Sequence, residues 1–107
     1  MTTLMTMIFG SKASNNKYRY EGTVVDTTGD TVILENTGQD VLMGVIPGTS
    51  ATVQYTLSSL DKVKDNTAVW YDWPNGSVTE PTQDSVSSLV TALRLVSVGT
   101  SNWEVVA

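Results

Sequence analysis

The sequence predicts an all-β domain: an antiparallel β-sandwich or small barrel of seven or eight short strands, preceded by an extended N-terminal arm. Three observations predict it. The 107 residues include 15 Val and 16 Thr, both branched at Cβ, stiff in χ1 and better suited to a pleated sheet than to a helix. Apolar and polar residues alternate with a period of two in several stretches, as in strands with one buried face. Turn-forming residues recur about every dozen residues, the spacing of a sandwich or barrel.

Residues 1–16 read as arm and hinge. The arm is mildly apolar through Leu4, Met5, Met7, Ile8 and Phe9, and residues 10–16 are rich in Gly, Ser and Asn, a composition that bends freely. Residues 17–107 then form one β domain, since a chain of this length supplies a single core. Over 18–26, Tyr18, Tyr20 and Val24 oppose Arg19, Glu21 and Thr23. Short apolar runs at 31–35 and 41–46 are bounded by Thr28-Gly29-Asp30, Asn36-Thr37-Gly38 and Pro47-Gly48, which marks strands of a hairpin or meander. Residues 49–57 alternate most cleanly, with Ala51, Val53, Tyr55 and Leu57 on one face.

Residues 58–66 are the most helix-like stretch. Ser59 is placed to cap a turn holding Leu60 and Val63, but the stretch is too short for more than one turn. A strand rich in aromatics follows over 67–73 and is broken by Pro74-Asn75-Gly76, where Asn-Gly tolerates the positive φ of a tight turn. The polar stretch 80–88, containing Pro81, reads as a loop crossing between sheets. A long strand over 89–98, a turn at 99–102 and a last strand over 103–106 complete the domain. An apolar strand so near the last residue is expected to be knitted into a sheet.

Charge and composition narrow the function. The net charge is -5, and six basic residues are scattered as Lys12, Lys17, Arg19, Lys62, Lys64 and Arg94. A duplex-binding face needs clustered cations to displace counterions from phosphate, so neither nucleic acid nor an anionic membrane is an expected partner. No apolar run approaches the roughly 18 residues of a membrane span. Residues 1–9 lack the basic start and long apolar centre of a signal peptide, so the chain reads as kept without cleavage.

Reactive groups are scarce. The sequence holds no His and no Cys, which removes the usual Ser-His-Asp and Cys-His nucleophile systems, thiolate zinc sites and disulfides. Carboxylates remain, but Asp26, Asp30, Asp40, Asp61 and Asp65 sit at turns, where Asp bonds to nearby backbone. Asp26 and Asp30 could hold a cation in a loop, but a plain turn is the better explanation of them. The eight glycines are spread singly, so no phosphate-cradling loop is present. Asn75-Gly76-Ser77 matches a glycosylation sequon that an Asn-Gly turn explains fully. The expectation is a protein that is not an enzyme and carries no cofactor or metal.

Two constellations stand out. In Trp70-Tyr71-Asp72-Trp73, a strand would put Trp70 and Asp72 on one face, Tyr71 and Trp73 on the other. One set belongs in the core. The other is either covered within the sandwich or offered to a partner, since Trp and Tyr are enriched at interfaces. Arg94 lies in an apolar strand beside Val90, Ala92 and Val96 and therefore needs a carboxylate or an exit to water; Asp72 and Glu104 are the candidates, and an Arg94–Asp72 ion pair is expected. The strands carry few Lys or Pro to protect sheet edges, and the arm has no evident place among strands already sufficient for a sheet. Met5, Met7, Ile8, Phe9, Trp70, Tyr71 and Trp73 are thus candidate partner contacts, the arm by adding to a neighbour's sheet.

Residues 46–56 (Ile-Pro-Gly-Thr-Ser-Ala-Thr-Val-Gln-Tyr-Thr), 68–76 (Ala-Val-Trp-Tyr-Asp-Trp-Pro-Asn-Gly), 90–95 (Val-Thr-Ala-Leu-Arg-Leu) and 103–106 (Trp-Glu-Val-Val) resemble segments of small virion accessory proteins of tailed bacteriophages. The likeness spans roughly the last 60 residues and lies in their style of strand, small-residue turn and strand. It implies a capsid decoration protein or head fibre on the virion surface, a homotrimer bound to the major capsid protein lattice. Two alternatives differ in class. A carbohydrate-binding β-sandwich module would use Trp70, Tyr71 or Trp73 as a sugar platform. A tail-tube or connector subunit would need a ring assembly and a long mobile loop, for which residues 77–88 are the candidate.

Overall fold

The computed structural model describes residues 4–6, 12–13, 17–34, 40–86 and 90–106. It is a β-sandwich of ten strands and one short helix: β1 Leu4–Thr6, β2 Lys12–Ala13, β3 Lys17–Val25, β4 Thr31–Ile33, β5 Val41–Ile46, β6 Ser50–Thr56, α1 Leu60–Lys64, β7 Trp70–Asp72, β8 Thr82–Val86, β9 Ala92–Val98 and β10 Thr100–Val106. Sheet I has the order β1-β4-β9-β6-β7 and sheet II the order β2-β3-β10-β5-β8. Apart from the parallel β1–β4 pair, the pairings between strands are antiparallel.

The order has a simple origin. β6 pairs with β7, β5 with β8, β4 with β9 and β3 with β10, so the chain from β3 to β10 is one long antiparallel ribbon doubled back at α1. Successive rungs fall alternately in sheet I and sheet II. Rolling the ribbon brings β6 against β9 and β5 against β10 and closes the two sheets. This is the jelly roll, an eight-strand double-sheet arrangement that leaves short protected edges.

Alternation fills the space between the sheets. Val32, Val53, Leu93 and Leu95 from sheet I meet Val41, Met43, Trp103 and Val105 from sheet II, all buried in one cluster. Tyr20 packs edge-on against Trp103, ring centres 5.7 Å apart. The predicted face of Tyr20 and Val24 is the inner one, with Arg19, Glu21 and Thr23 exposed. The last strand is knitted in more deeply than any edge, since β10 lies between β3 and β5.

Several expectations need correction. The polar stretch 80–88 contains a strand, β8, on the outer edge of sheet II beside β5; an edge strand needs apolar residues on one side only, which Thr-Gln-Asp-Ser-Val barely supplies. Leu57 does not continue the inner face of β6, which ends at Thr56, and it is exposed. Ser59 occupies the N-cap position of α1, but its hydroxyl makes no capping bond. The strand expected over 67–73 shortens to β7 and that over 89–98 to β9. Part of the arm has a home within its own chain: Leu4–Thr6 pairs in parallel with Thr31–Ile33, and Lys12–Ala13 with β3.

Candidate functional site

The aromatic segment is split by the sheet. β7 places Trp70 opposite Thr56 and Asp72 opposite Gln54 on the outer face of sheet I, with Tyr71 opposite Tyr55 on the other. Trp73 is buried in the core, and its indole N–H donates to the Gly76 carbonyl at 2.6 Å across the Pro74-Asn75-Gly76 turn, where Gly76 has φ +60°. Tyr71 is 48% exposed and stacks on Tyr55 at 5.7 Å. Trp70 is partly covered by the Arg94 guanidinium, 4.1 Å from its ring centre. Of the three rings offered as partner contacts, Tyr71 alone is exposed. Met5 lies in β1, while Met7, Ile8 and Phe9 lie outside the described residues.

Arg94 and Asp72 are linked through a third residue. Arg94 Nε donates to Gln54 Oε1 at 2.8 Å, and Gln54 Nε2 donates to Asp72 Oδ1 at 2.9 Å. The register explains it, because Gln54 on β6 stands between Arg94 on β9 and Asp72 on β7. A neutral amide therefore bridges the two charges expected to pair directly. Partial burial pushes the Arg94 guanidinium below its ordinary value, as desolvation of a cation must. Asp26, weighed as a cation ligand, accepts the Gly99 N–H at 2.6 Å and has φ +48°, which is a turn role.

Sequence reading missed a second surface. Val25, Ile46 and Val98 are 55%, 60% and 51% exposed. Val25 ends β3 opposite Thr100, Ile46 ends β5 opposite Asn102, and Val98 ends β9 opposite Ser50. All three thus reach the same end of the sandwich, among the exposed Thr27, Thr49 and Thr100. This end is locked by backbone. A Cβ on Gly48 would lie 2.6 Å from the Thr100 backbone, and Gly99 has φ +77°, so neither position admits a side chain without movement.

Beside it, the outer face of sheet II carries a shallow depression of about 260 Å³ over Gly44, bordered by Ile46, Pro81, Gln83, Asn102 and Glu104. A Cβ on Gly44 would meet nothing within 4 Å, so the missing side chain shapes the surface and relieves no clash. Glu21 and Glu104 stand directly opposite one another here, a like-charge pair that disfavours the sheet. Among the described residues no group of three or more His, Cys, Asp or Glu could hold a metal ion, and no helix is long and apolar enough to cross a membrane.

What the geometry defines is a jelly-roll domain with its interior packed by side chains and its distinctive features outside. No protein-family model and no curated protein matches the chain. Solved structures do. An HTH_3 family transcriptional regulator from Vibrio cholerae superposes with a TM-score of 0.52 at 13% identity, over 94% of this chain and 47% of that one. Hydroquinone 1,2-dioxygenase from Sphingomonas sp. TTNP3 gives 0.52 at 10% identity, over 94% of this chain and 62% of its own. The chain thus spans less than two thirds of the length of either protein, 47% of the first and 62% of the second. Identities this low establish the shared fold alone.

Proposed function

We propose that the chain is a structural virion protein, a decoration or stabilising protein that binds the outside of a bacteriophage capsid as a symmetric homotrimer. The observation that carries this reading is the rigid end bearing Val25, Ile46 and Val98. Three aliphatic side chains, each about half exposed at a backbone-locked corner, cost little ordering entropy when covered. The threonines around them are short and uncharged, so they bury without the penalty attached to Lys or Glu. The adjacent Glu21–Glu104 pair and the net charge of -5 favour a basic partner, whose charge would relieve the repulsion. The interior is filled with apolar residues, which leaves the outer surfaces as the part available for work.

The test has two arms. Light scattering of the purified protein should give three times the 11.5 kDa of one chain, and Val25→Asp with Ile46→Asp should reduce it to one. Antibody raised to the protein should label capsid surfaces of particles from the source culture. A monomer for the unsubstituted protein at about 100 μM, with unlabelled particles, refutes the reading.

A further inference from the structure

Outside the sandwich, between the outer face of sheet I and the segment joining α1 to β7, lies a cavity of about 250 Å³ lined by Thr31, Val63, Asn66, Ala68, Trp70 and Arg94. Its floor is the β4–β9 region of the sheet and its cover is the α1 turn. This cavity is separate from the apolar core and from the exposed end carrying Val25, Ile46 and Val98.

Three groups fix the guanidinium that lines it. Trp70 stacks on it at 4.1 Å. Gln54 takes the Nε–H through Oε1. Asp72 in turn holds the Gln54 amide N–H₂, so the amide can only present its oxygen to Arg94. Among the described residues the guanidinium's one hydrogen bond is made through Nε, and the end-on pair of Nη groups can offer two parallel N–H bonds that match the two oxygens of a carboxylate. A guanidinium held this firmly is preorganised: binding to it costs little side-chain entropy.

Charge selects the ligand class. Among the described residues, Arg94 is the one charged group lining the cavity, and none of them brings a carboxylate to it. A monoanion would neutralise this cation, whereas a dianion would carry an uncompensated charge into a partly desolvated site. Asn66, with φ +60°, and Thr31, buried on β4, bring an amide and a hydroxyl to the same space, as binding sites do when a few polar groups fix orientation. We infer that this cavity binds a small monocarboxylate through Arg94, either a simple organic acid or the carboxylate of an acidic sugar.

The test uses the ¹⁵N-labelled full chain titrated at constant ionic strength with sodium acetate, galacturonate, galactose and inorganic phosphate. Saturable shifts of the Trp70 indole and Asn66 amide with acetate and galacturonate, absent with galactose and phosphate, are expected. Tighter binding of galacturonate would identify the sugar-acid source, and equal binding the simple acid. Arg94→Lys should weaken binding at least tenfold, because the fork is lost while the charge remains. If that variant fails to fold, Asn66→Gly decides: glycine suits φ +60°, and losing one neutral hydrogen bond should weaken binding about 2- to 10-fold. No saturable shift with either acid, galactose binding as well as galacturonate, or unchanged affinity in the folded variant that decides the test overturns the assignment.

Discussion

The corner behind the exposed end rests on two buried hydroxyls whose coupling can be measured. Ser97 Oγ lies 2.7 Å from Ser101 Oγ and 2.8 Å from the Gly99 carbonyl, and Gly48 N–H donates to Ser101 Oγ at 3.0 Å. Each hydroxyl has one hydrogen to give. One ordering satisfies every group: Gly48 N–H to Ser101, Ser101 to Ser97, and Ser97 to the Gly99 carbonyl. Ser101→Ala removes the acceptor of Gly48 N–H and the donor to Ser97, two neutral bonds worth about 1 kcal/mol each. Ser97→Ala leaves the fully buried Ser101 hydroxyl without an acceptor and the Gly99 carbonyl without a donor, again about 2 kcal/mol. In the double variant no hydroxyl is left stranded, so its loss should stay near 2–2.5 kcal/mol, a coupling of about 1.5 kcal/mol. Urea unfolding of the four proteins measures this cycle, and each single variant should melt roughly 8–15 °C lower. Additivity of the single losses within about 0.5 kcal/mol would refute a continuous relay.

Three further outcomes follow from other sites. The Tyr20 phenol is pushed above its ordinary value, first by burial and second by the nearby Asp30 charge; a folded value above the unfolded one of about 10 means stability is intact below that pH and falls as pH rises through the folded value, so thermal melts from pH 9 to 12 should decline, and Tyr20→Phe should flatten the decline. Trp103 Nε1 is buried and finds no partner among the described residues, so Trp103→Phe discards an unmet donor as well as ring volume, and its chemical-denaturation cost should stay under about 1.5 kcal/mol rather than the 3–5 of a Trp→Ala change. Asp26 has φ +48° and accepts from Gly99 N–H; Asp26→Gly loses the bond but keeps the conformation, so it should be about 1 kcal/mol more stable than Asp26→Ala, the reverse of the usual order.

The strands with one apolar face were legible because their chemistry is local. Ala51 and Val53 alternate with Thr52 and Gln54, and burial follows that alternation. β8 was illegible for the opposite reason: its pairing with β5 comes from the rolled ribbon, while its own residues are polar. The ribbon itself lies in contacts such as Thr23 with Asn102, 79 residues apart, which no short window displays. Site residues divide the same way. Arg94 was conspicuous as a charge among apolar neighbours, and Asp72 was one of two carboxylates, with Glu104, offered as its partner. Gln54 was invisible, since an outward polar residue on a strand looks like solvent-facing surface until the register puts it between the two charges. Val25, Ile46 and Val98 only become a patch once three strand ends are brought to one end of the sandwich.

The position of β10 shapes how the molecule is made. Sheet II cannot form until residues 100–106 have been synthesised, because that strand separates β3 from β5. Ribosomes add about 5–20 residues per second, so β3 waits several seconds for its neighbour with its apolar face uncovered. During that interval the nascent polypeptide is open to capture by chaperones or by other unfinished copies. Yield in the cell should therefore depend on translation speed and crowding at the ribosome more than on the stability of the finished sandwich.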